Sequence, residues 1–322
     1  MSRSLYLLRQ LASHLGKNIV MKTQFWAASA ALSAMLAAVP PAAFADQDWT
    51  GFKAGIGAAG EQTRADAELS GGHAATYEST IVWEASYGSV TGQNSAKKNS
   101  ISIGADAGYD KQFGTSIVAG VVGSLDLTSG NKATASISST PGDNHGVGCD
   151  GANIVYDGSC VISLSTDGQS TITSSFSIGK TFSLGARLGF LSGQNTLFYV
   201  SGGWSGAQVA ARDTYVTSAT VPTLTGPPIP FNGSATFSQS KFQKGSFWGG
   251  GIEKKIGSNY SVKLEYRQTN YGKISGDWTE ELQIPGHFGT MTTASQYGAP
   301  LVVQRKADLI QRALRLGVGY QF

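Results

Sequence analysis

The sequence predicts an all-β fold, a single closed antiparallel transmembrane β-barrel of eight strands. Three observations predict it. The last nine residues alternate strictly, with Leu314, Leu316, Val318, Tyr320 and Phe322 on one face and Arg315, Gly317, Gly319 and Gln321 on the other; this is the period of a strand with two unlike faces. An apolar face ending on a bare aromatic suits contact with lipid. Charged residues are only 14% of the 322 and Gly numbers 42, yet no apolar run beyond residue 45 is long enough for a membrane-spanning helix. Long and short connections also alternate without exception, which a soluble sandwich has no reason to do.

Eight stretches carry the alternation. Residues 49–58 place Phe52, Ala54, Ile56 and Ala58 on one face. Residues 100–109 place Ile101, Ile103, Ala105, Ala107 and Tyr109 together, and residues 115–127 place Ile117, Ala119, Val121, Leu125 and Leu127. Residues 176–191 show Phe182, Leu184, Ala186, Leu188 and Phe190. Residues 196–211 begin apolar on both faces, which leaves their register open. Residues 242–256 show Trp248, Ile252 and Ile256, and residues 260–271 show Tyr260, Val262, Leu264 and Tyr266. The eighth stretch runs from about Leu309 to Phe322.

Three connections are short and rich in turn residues, at 110–114, 192–195 and 257–259. Four are long and polar, at 60–99, 128–175, 212–241 and 272–308. Outer-membrane barrels sort their connections in this way, into short periplasmic turns and long extracellular loops, and an even strand count keeps both termini in the periplasm. Residues 77–87 and 154–164 read as strand-like. They would extend the barrel above the membrane or raise the count to ten.

Residues 1–45 read as an export signal, followed by a barrel domain over 46–322. Lys22 supplies the positive start and residues 25–39 a short apolar core; Ala43-Phe44-Ala45 is a small-x-small cleavage site. Met21 makes a more natural start than Met1. The segment carries Arg3, Arg9, Lys17 and Lys22 and no acid, so the formal charge of +3 belongs to it. No basic patch for nucleic acid is indicated. Cys149 and Cys160 remain after cleavage, and two near cysteines in an oxidising compartment pair. Such a disulfide would close a loop of 12 residues and stabilise it by about 3 kcal/mol. His145 beside them does not make a metal site.

The opposite strand faces carry Lys53, Asp106, Asp126, Arg187, Glu253, Lys255, Lys263, Glu265, Arg267 and Arg315, interspersed with Gly. An eight-strand barrel is only wide enough inside for side chains, and buried opposite charges must pair. The width argues for a network that plugs the barrel, with Glu265 reaching Lys255 or Arg315. The other reading is a narrow gated pore.

Several stretches carry a family resemblance: Trp49-Thr50-Gly51-Phe52, Phe182-Ser183-Leu184-Gly185-Ala186-Arg187-Leu188-Gly189-Phe190, Leu197-Phe198-Tyr199-Val200-Ser201-Gly202-Gly203, Gly249-Gly250-Gly251-Ile252-Glu253, Val262-Lys263-Leu264-Glu265-Tyr266 and the terminal strand. In order and spacing the chain resembles the outer-membrane β-barrel family of small porin-like, opacity-type surface antigens. The resemblance implies a place in the bacterial outer membrane, among its lipid and lipopolysaccharide. Tyr320 and Phe322 would be read as an assembly signal by the outer-membrane assembly machinery. Departures are the longer loops, the cysteine pair and Lys53 where an aromatic is common. The family has no agreed chemistry; its members are envelope, adhesion or host-contact proteins, and some are reported to bind haem.

Gly55-Ile56-Gly57-Ala58-Ala59-Gly60 matches a dinucleotide fingerprint, but no helical pattern follows to hold a pyrophosphate. Among His73, His145 and His287 no spacing singles out a catalytic set. The expectation is a non-enzymatic barrel without cofactor, with a structural or surface-interaction role and an extracellular ligand or host surface as partner. The alternatives are a small-solute channel and loop-based binding of a ligand such as haem.

Overall fold

The computed structural model describes residues 48–78, 82–129, 132–139, 145–150, 163–165, 167–221, 229–282 and 299–322. They form β1 (Gly51–Glu78), β2 (Val82–Phe113), β3 (Ile117–Ser129), β4 (Ala133–Ser138), β5 (His145–Asp150), β6 (Ser163–Ser165), β7 (Asp167–Ser192), β8 (Thr196–Val221), β9 (Ile229–Ile256), β10 (Tyr260–Leu282) and β11 (Ala299–Gln321). All pairings are antiparallel. β1, β2, β3, β7, β8, β9, β10 and β11 close into a ring of eight. The register leads from Gln311 through Thr269, Phe247, Gly203, Gly185, Val122, Gly108 and Lys53 to Gln321, so one circuit is staggered by ten residues. A ring of this size leaves room inside for side chains only.

The three short connections are the turns 114–116, 193–195 and 257–259. Each opens on a glycine in the left-handed region, Gly114 (φ 61°), Gly193 (φ 69°) and Gly257 (φ 75°), which a side chain would disfavour. The first turn begins later than the sequence suggests, because β2 continues to Phe113.

At the level of these turns and for about ten residues above them, apolar side chains point outward. Phe52, Ile56, Ile103, Val121, Leu184, Leu188, Val200, Trp248, Leu316 and Val318 are exposed, as lipid contact requires. Val200 and Trp204 face outward while Leu197 and Tyr199 are buried, which settles the register of β8. Aromatics edge this band on both sides. Near the turns Phe52 meets Tyr109 (5.0 Å), Phe190 meets Phe198 (5.3 Å) and Tyr320 packs between Tyr260 and Phe322. Phe182 touches Trp204 (4.8 Å) and Phe242 (5.6 Å) at the far edge. Leu184→Arg is therefore expected to destabilise the folded protein by about 2–4 kcal/mol, measured by denaturant unfolding in lipid vesicles; an unchanged midpoint would contradict the assigned lipid face.

Beyond this band the strands do not stop. Pairing continues through much of what the sequence presents as long loops, with Glu78 of β1 opposite Trp83 of β2. The alternation persists there but its chemistry inverts. On β1, Ala65, Ala67 and Leu69 turn inward and are buried, while Arg64, Asp66 and Glu68 turn outward. With Phe176, Ile178, Val209, Ala211, Tyr215, Ile274, Trp278, Val303 and Leu309 they form an apolar core. The molecule thus has two storeys, one apolar outside for lipid and one apolar inside for water. Residues 77–87 lengthen β1 and β2 and add no stave, apart from 79–81, which with 154–162 lie outside the described residues; so do the export segment 1–45, Cys160 and His287.

The ring is complete only at membrane level. β9 and β10 pair from Ile256↔Tyr260 to Ser246↔Asn270 and no further among the described residues. The seam above is bridged by the Gln243 amide, which donates to the Tyr271 carbonyl (2.9 Å), and by the stack of Phe237 on Trp278 (5.7 Å). A second seam lies between β2 and β4, where Asn94 donates to the Ser136 carbonyl (2.6 Å).

Candidate functional site

The lumen of the membrane storey gathers the candidate residues. Lys53, Asp106, Asp126, Arg187, Glu253, Lys255, Lys263, Glu265, Arg267 and Arg315 all stand on its inward face, supplied by β1, β2, β3, β7, β9, β10 and β11. Small neighbours give them space. A side chain at Gly120 would collide with the Asp110 carboxylate and one at Gly104 with that of Asp126, while a Cβ at Gly317 would stand 2.9 Å from Lys263 Cε.

Near the turns Glu253 is the hub of a mixed-charge cluster. Its carboxylate accepts from Lys53 Nζ (3.2 Å), Arg187 Nη1 (2.8 Å) and Ser261 Oγ (2.8 Å). Lys53 and Arg187 both also bind Asp110, the lysine at 2.8 Å and the arginine in bidentate fashion. Lys263 pairs with Asp106. Higher up Arg315 makes a bidentate pair with Asp126 across the lumen (2.9 and 2.6 Å). Arg267 binds Glu265 on its own strand (2.8 Å), donates to the hydroxyls of Ser124 and Ser183, and stacks over Phe247 (4.5 Å). Tyr199 Oη donates to the other Glu265 oxygen (2.9 Å).

The partners differ from the sequence expectation at Glu265. Register does set it opposite Arg315, but Arg315 reaches over to Asp126, and Lys255 opposite Ser261 donates instead to the Asp48 carbonyl (2.6 Å). Lys255 and Lys53 bracket the ring of Trp49 at 4.9 and 4.3 Å. Trp49 belongs to no strand. It is wholly buried, lies across the periplasmic mouth, and donates from Nε1 to the Gln194 carbonyl (3.2 Å).

Sequence reasoning missed two acids in this lumen. Asp110, read as a turn residue, ends the inward row of β2; Glu61, read as the start of a loop, accepts from Ser102 Oγ (2.6 Å) and Gln311 Nε2 (2.8 Å). The inward parity of Lys53 and Asp106 on their strands is the signal that could have found them. With them the lumen holds six acids against six bases. The cavities that these groups line are about 20 Å³ and about 10 Å³, space for roughly one water each.

A second buried pair sits in the outer storey, where the sequence showed only loops. Asp213 of β8 and Arg305 of β11 form a salt bridge with both side chains fully buried. Ser174 Oγ donates to Asp213, Arg305 donates to Gln239 Oε1 (3.1 Å), and its guanidinium lies 5.7 Å over Phe176. The pair joins opposite walls of the apolar core. Burial pushes the Asp213 carboxyl above its ordinary pKa, against the opposing pull of Ser174 and Arg305; burial also lowers the Arg305 guanidinium.

Other candidates lie elsewhere. Gly55 and Gly57 occupy mid-strand positions on β1, with no helix after them. His73 is on β1, and His145 and Cys149 are on β5. Tyr320 and Phe322 stand exposed in the periplasmic aromatic edge.

The family described as outer membrane protein beta-barrel domain matches residues 29–322. Among solved structures the chain is similar to Ail, the attachment invasion locus protein of Yersinia pestis, with 11% identity over 85% of this chain and 99% of that one and a TM-score of 0.24. It is also similar to Neisserial surface protein A, with 12% identity over 82% and 97% and a TM-score of 0.23. The outer membrane protease OmpT of Escherichia coli gives 10% identity over 87% and 99%, with a TM-score of 0.28. No curated protein matches the sequence.

Proposed function

The chain belongs to the outer-membrane protein β-barrel family of the bacterial outer membrane, and from that premise we propose that it is a plugged, non-catalytic barrel with a structural or surface-interaction role. Envelope integrity, adhesion and host contact are the roles this reading covers. Its main support is the balanced lumen. Glu253, Asp110, Lys53 and Arg187 satisfy one another, Asp126 is taken up by Arg315, and Trp49 closes the base. Charges so committed neither line a water column nor stand ready for acid–base chemistry. The outer storey, polar outside and apolar within, is then the part displayed to the surroundings.

Refolded protein in planar bilayers is expected to pass no steady current. On intact cells a cysteine introduced at Thr236 should react with a membrane-impermeant maleimide. A stable open conductance would replace the plug with a small-solute channel, and a shielded Thr236 site would remove the display role.

A further inference from the structure

In the outer storey two backbone edges face each other without a ladder. β9 pairs with β8 along its whole length, from Ile229↔Val221 to Lys254↔Thr196, but with β10 only from Ser246 toward the turn. β10 pairs with β11 as far as Leu282↔Ala299. Among the described residues, 229–245 and 272–282 each therefore keep one side without a strand partner. Backbone N–H and C=O groups require partners, and an edge meant to stay single is normally guarded by charge or proline. Residues 231–240, Phe-Asn-Gly-Ser-Ala-Thr-Phe-Ser-Gln-Ser, carry neither.

Side chains stand where the ladder would be. The Gln243 amide donates to the carbonyls of Tyr271 (2.9 Å) and Lys273 (3.4 Å), groups that the N–H of a neighbouring strand would take. Gln239 reaches over Gly276, whose Cβ would lie 3.2 Å from Gln239 Oε1, and Phe237 stacks on Trp278. Bridges of this length hold the edges further apart than the spacing of about 4.8 Å between laddered strands. Toward the interior the seam is lined by Tyr271, Ile274 and Trp278, all buried; toward water it shows Ser234, Thr236, Ser238, Ser240, Lys273 and Asp277. A strand laid between the edges would meet apolar surface and water at alternate residues. It must also offer both of its own sides. Every ring strand of this chain already has at least one side laddered, so a second copy does not supply it.

We infer that the seam between β9 and β10 receives an extended segment of another protein, apolar at alternate positions, which adds itself as a strand between the two edges. Because β9 and β10 are antiparallel, the segment runs antiparallel to one and parallel to the other in either direction. The inference rests on the display of the outer storey and not on the plug.

The test uses the whole protein refolded into phosphatidylcholine vesicles and a labelled peptide of four Thr-Val repeats between terminal lysines. Its length, about ten residues at ~3.3 Å each, follows 272–282. One control gathers the valines into a block; the other is N-methylated at every second residue. By fluorescence anisotropy the alternating peptide should bind at least tenfold more tightly than either control, the worth of one to two backbone hydrogen bonds. It should slow amide exchange along 229–245 and 272–282 and leave β1 and β2 unchanged. Gln243→Ala removes the side chain that holds the place, so it should bind the peptide roughly threefold to tenfold more tightly; heat-modified gel mobility checks that it folds. Absence of binding, equal binding of either control, protection elsewhere, or weaker binding by Gln243→Ala overturns the inference. Protection of 229–245 that arises without peptide and grows with the protein-to-lipid ratio would assign the seam to a second copy and overturns it as well. Labelling of the Thr236 cysteine site separates the two readings: a site that labels beside a seam that binds no peptide removes the slot and leaves the display role standing.

Discussion

Glu253→Ala is expected to cost the folded barrel about 3–5 kcal/mol, the range for breaking a buried ion pair by removing one partner. Two cations lose an anion at once. Lys53 and Arg187 would share Asp110 alone, and Ser261 would lose its acceptor. The cavity there, about 20 Å³, has room for roughly one water, too little to solvate two cations. Glu253→Gln keeps the shape and one acceptor, so it should fall between Ala and the native chain. Disrupting the exposed Arg64–Asp66 pair should change stability by no more than about 1 kcal/mol. The measurement is denaturant unfolding in vesicles, followed by tryptophan fluorescence and gel mobility. If Glu253→Ala matched the surface pair, Glu253 would not be the hub that its contacts describe.

The second large effect lies outside the membrane, at Asp213 and Arg305. Asp213→Ala leaves the guanidinium buried among Phe176, Gln239 and the apolar core, with an expected cost of about 3–5 kcal/mol. The double replacement Asp213→Leu/Arg305→Met should instead range from neutral to about 1–4 kcal/mol more stable. The titration directions give the reason. Burial raises the carboxyl and lowers the guanidinium despite their contact, so desolvation outweighs attraction at both ends. A carboxyl with a raised folded pKa contributes stability that is fully present below the ordinary value of 3.8 and is lost as pH rises through the folded value. Relative to Asp213→Asn, the native chain should therefore gain stability on acidification across that window. A relative loss on acidification, or a double variant as unstable as Asp213→Ala, would show that the pair stabilises the core.

The membrane storey was legible because lipid imposes one rule on every strand. Phe52, Leu184, Leu188 and Val318 fall on the apolar side of a strict alternation, and all four face outward. Asp110 and Glu61 were missed because each lies one step past the point where the apolar neighbours thin out. The outer storey was read as loops for a deeper reason. Arg64, Asp66 and Glu68 alternate with Ala65, Ala67 and Leu69 as in an ordinary soluble strand, and a search for outward apolar residues passes over them. The register shifts at Asn270/Gly272 on β10 and Ile178/Thr181 on β7 further break the count. Ion partners across the lumen were illegible altogether. Neighbouring strands fix who stands beside whom, as with Glu265 and Arg315, but Arg315 spans the lumen to Asp126, which only the closed circle brings within reach.

The two seams give the molecule a direction of compliance. Below them every strand is laced to two neighbours, and parting any two would break a whole ladder of bonds. Above, one plate of β10, β11, β1 and β2 faces another of β4, β7, β8 and β9, joined along their free margins by contacts such as Gln243 on Tyr271, Phe237 on Trp278 and Asn94 on Ser136. A pull that parts the free margins is opposed by few direct bonds there, and beyond them by the apolar core and the Asp213–Arg305 pair between the plates; resistance rises again where the closed ring begins. Amide exchange should follow the same gradient, fast along residues 229–245 and 272–282 and slowest where β9 and β10 rejoin at Ser246 and Asn270.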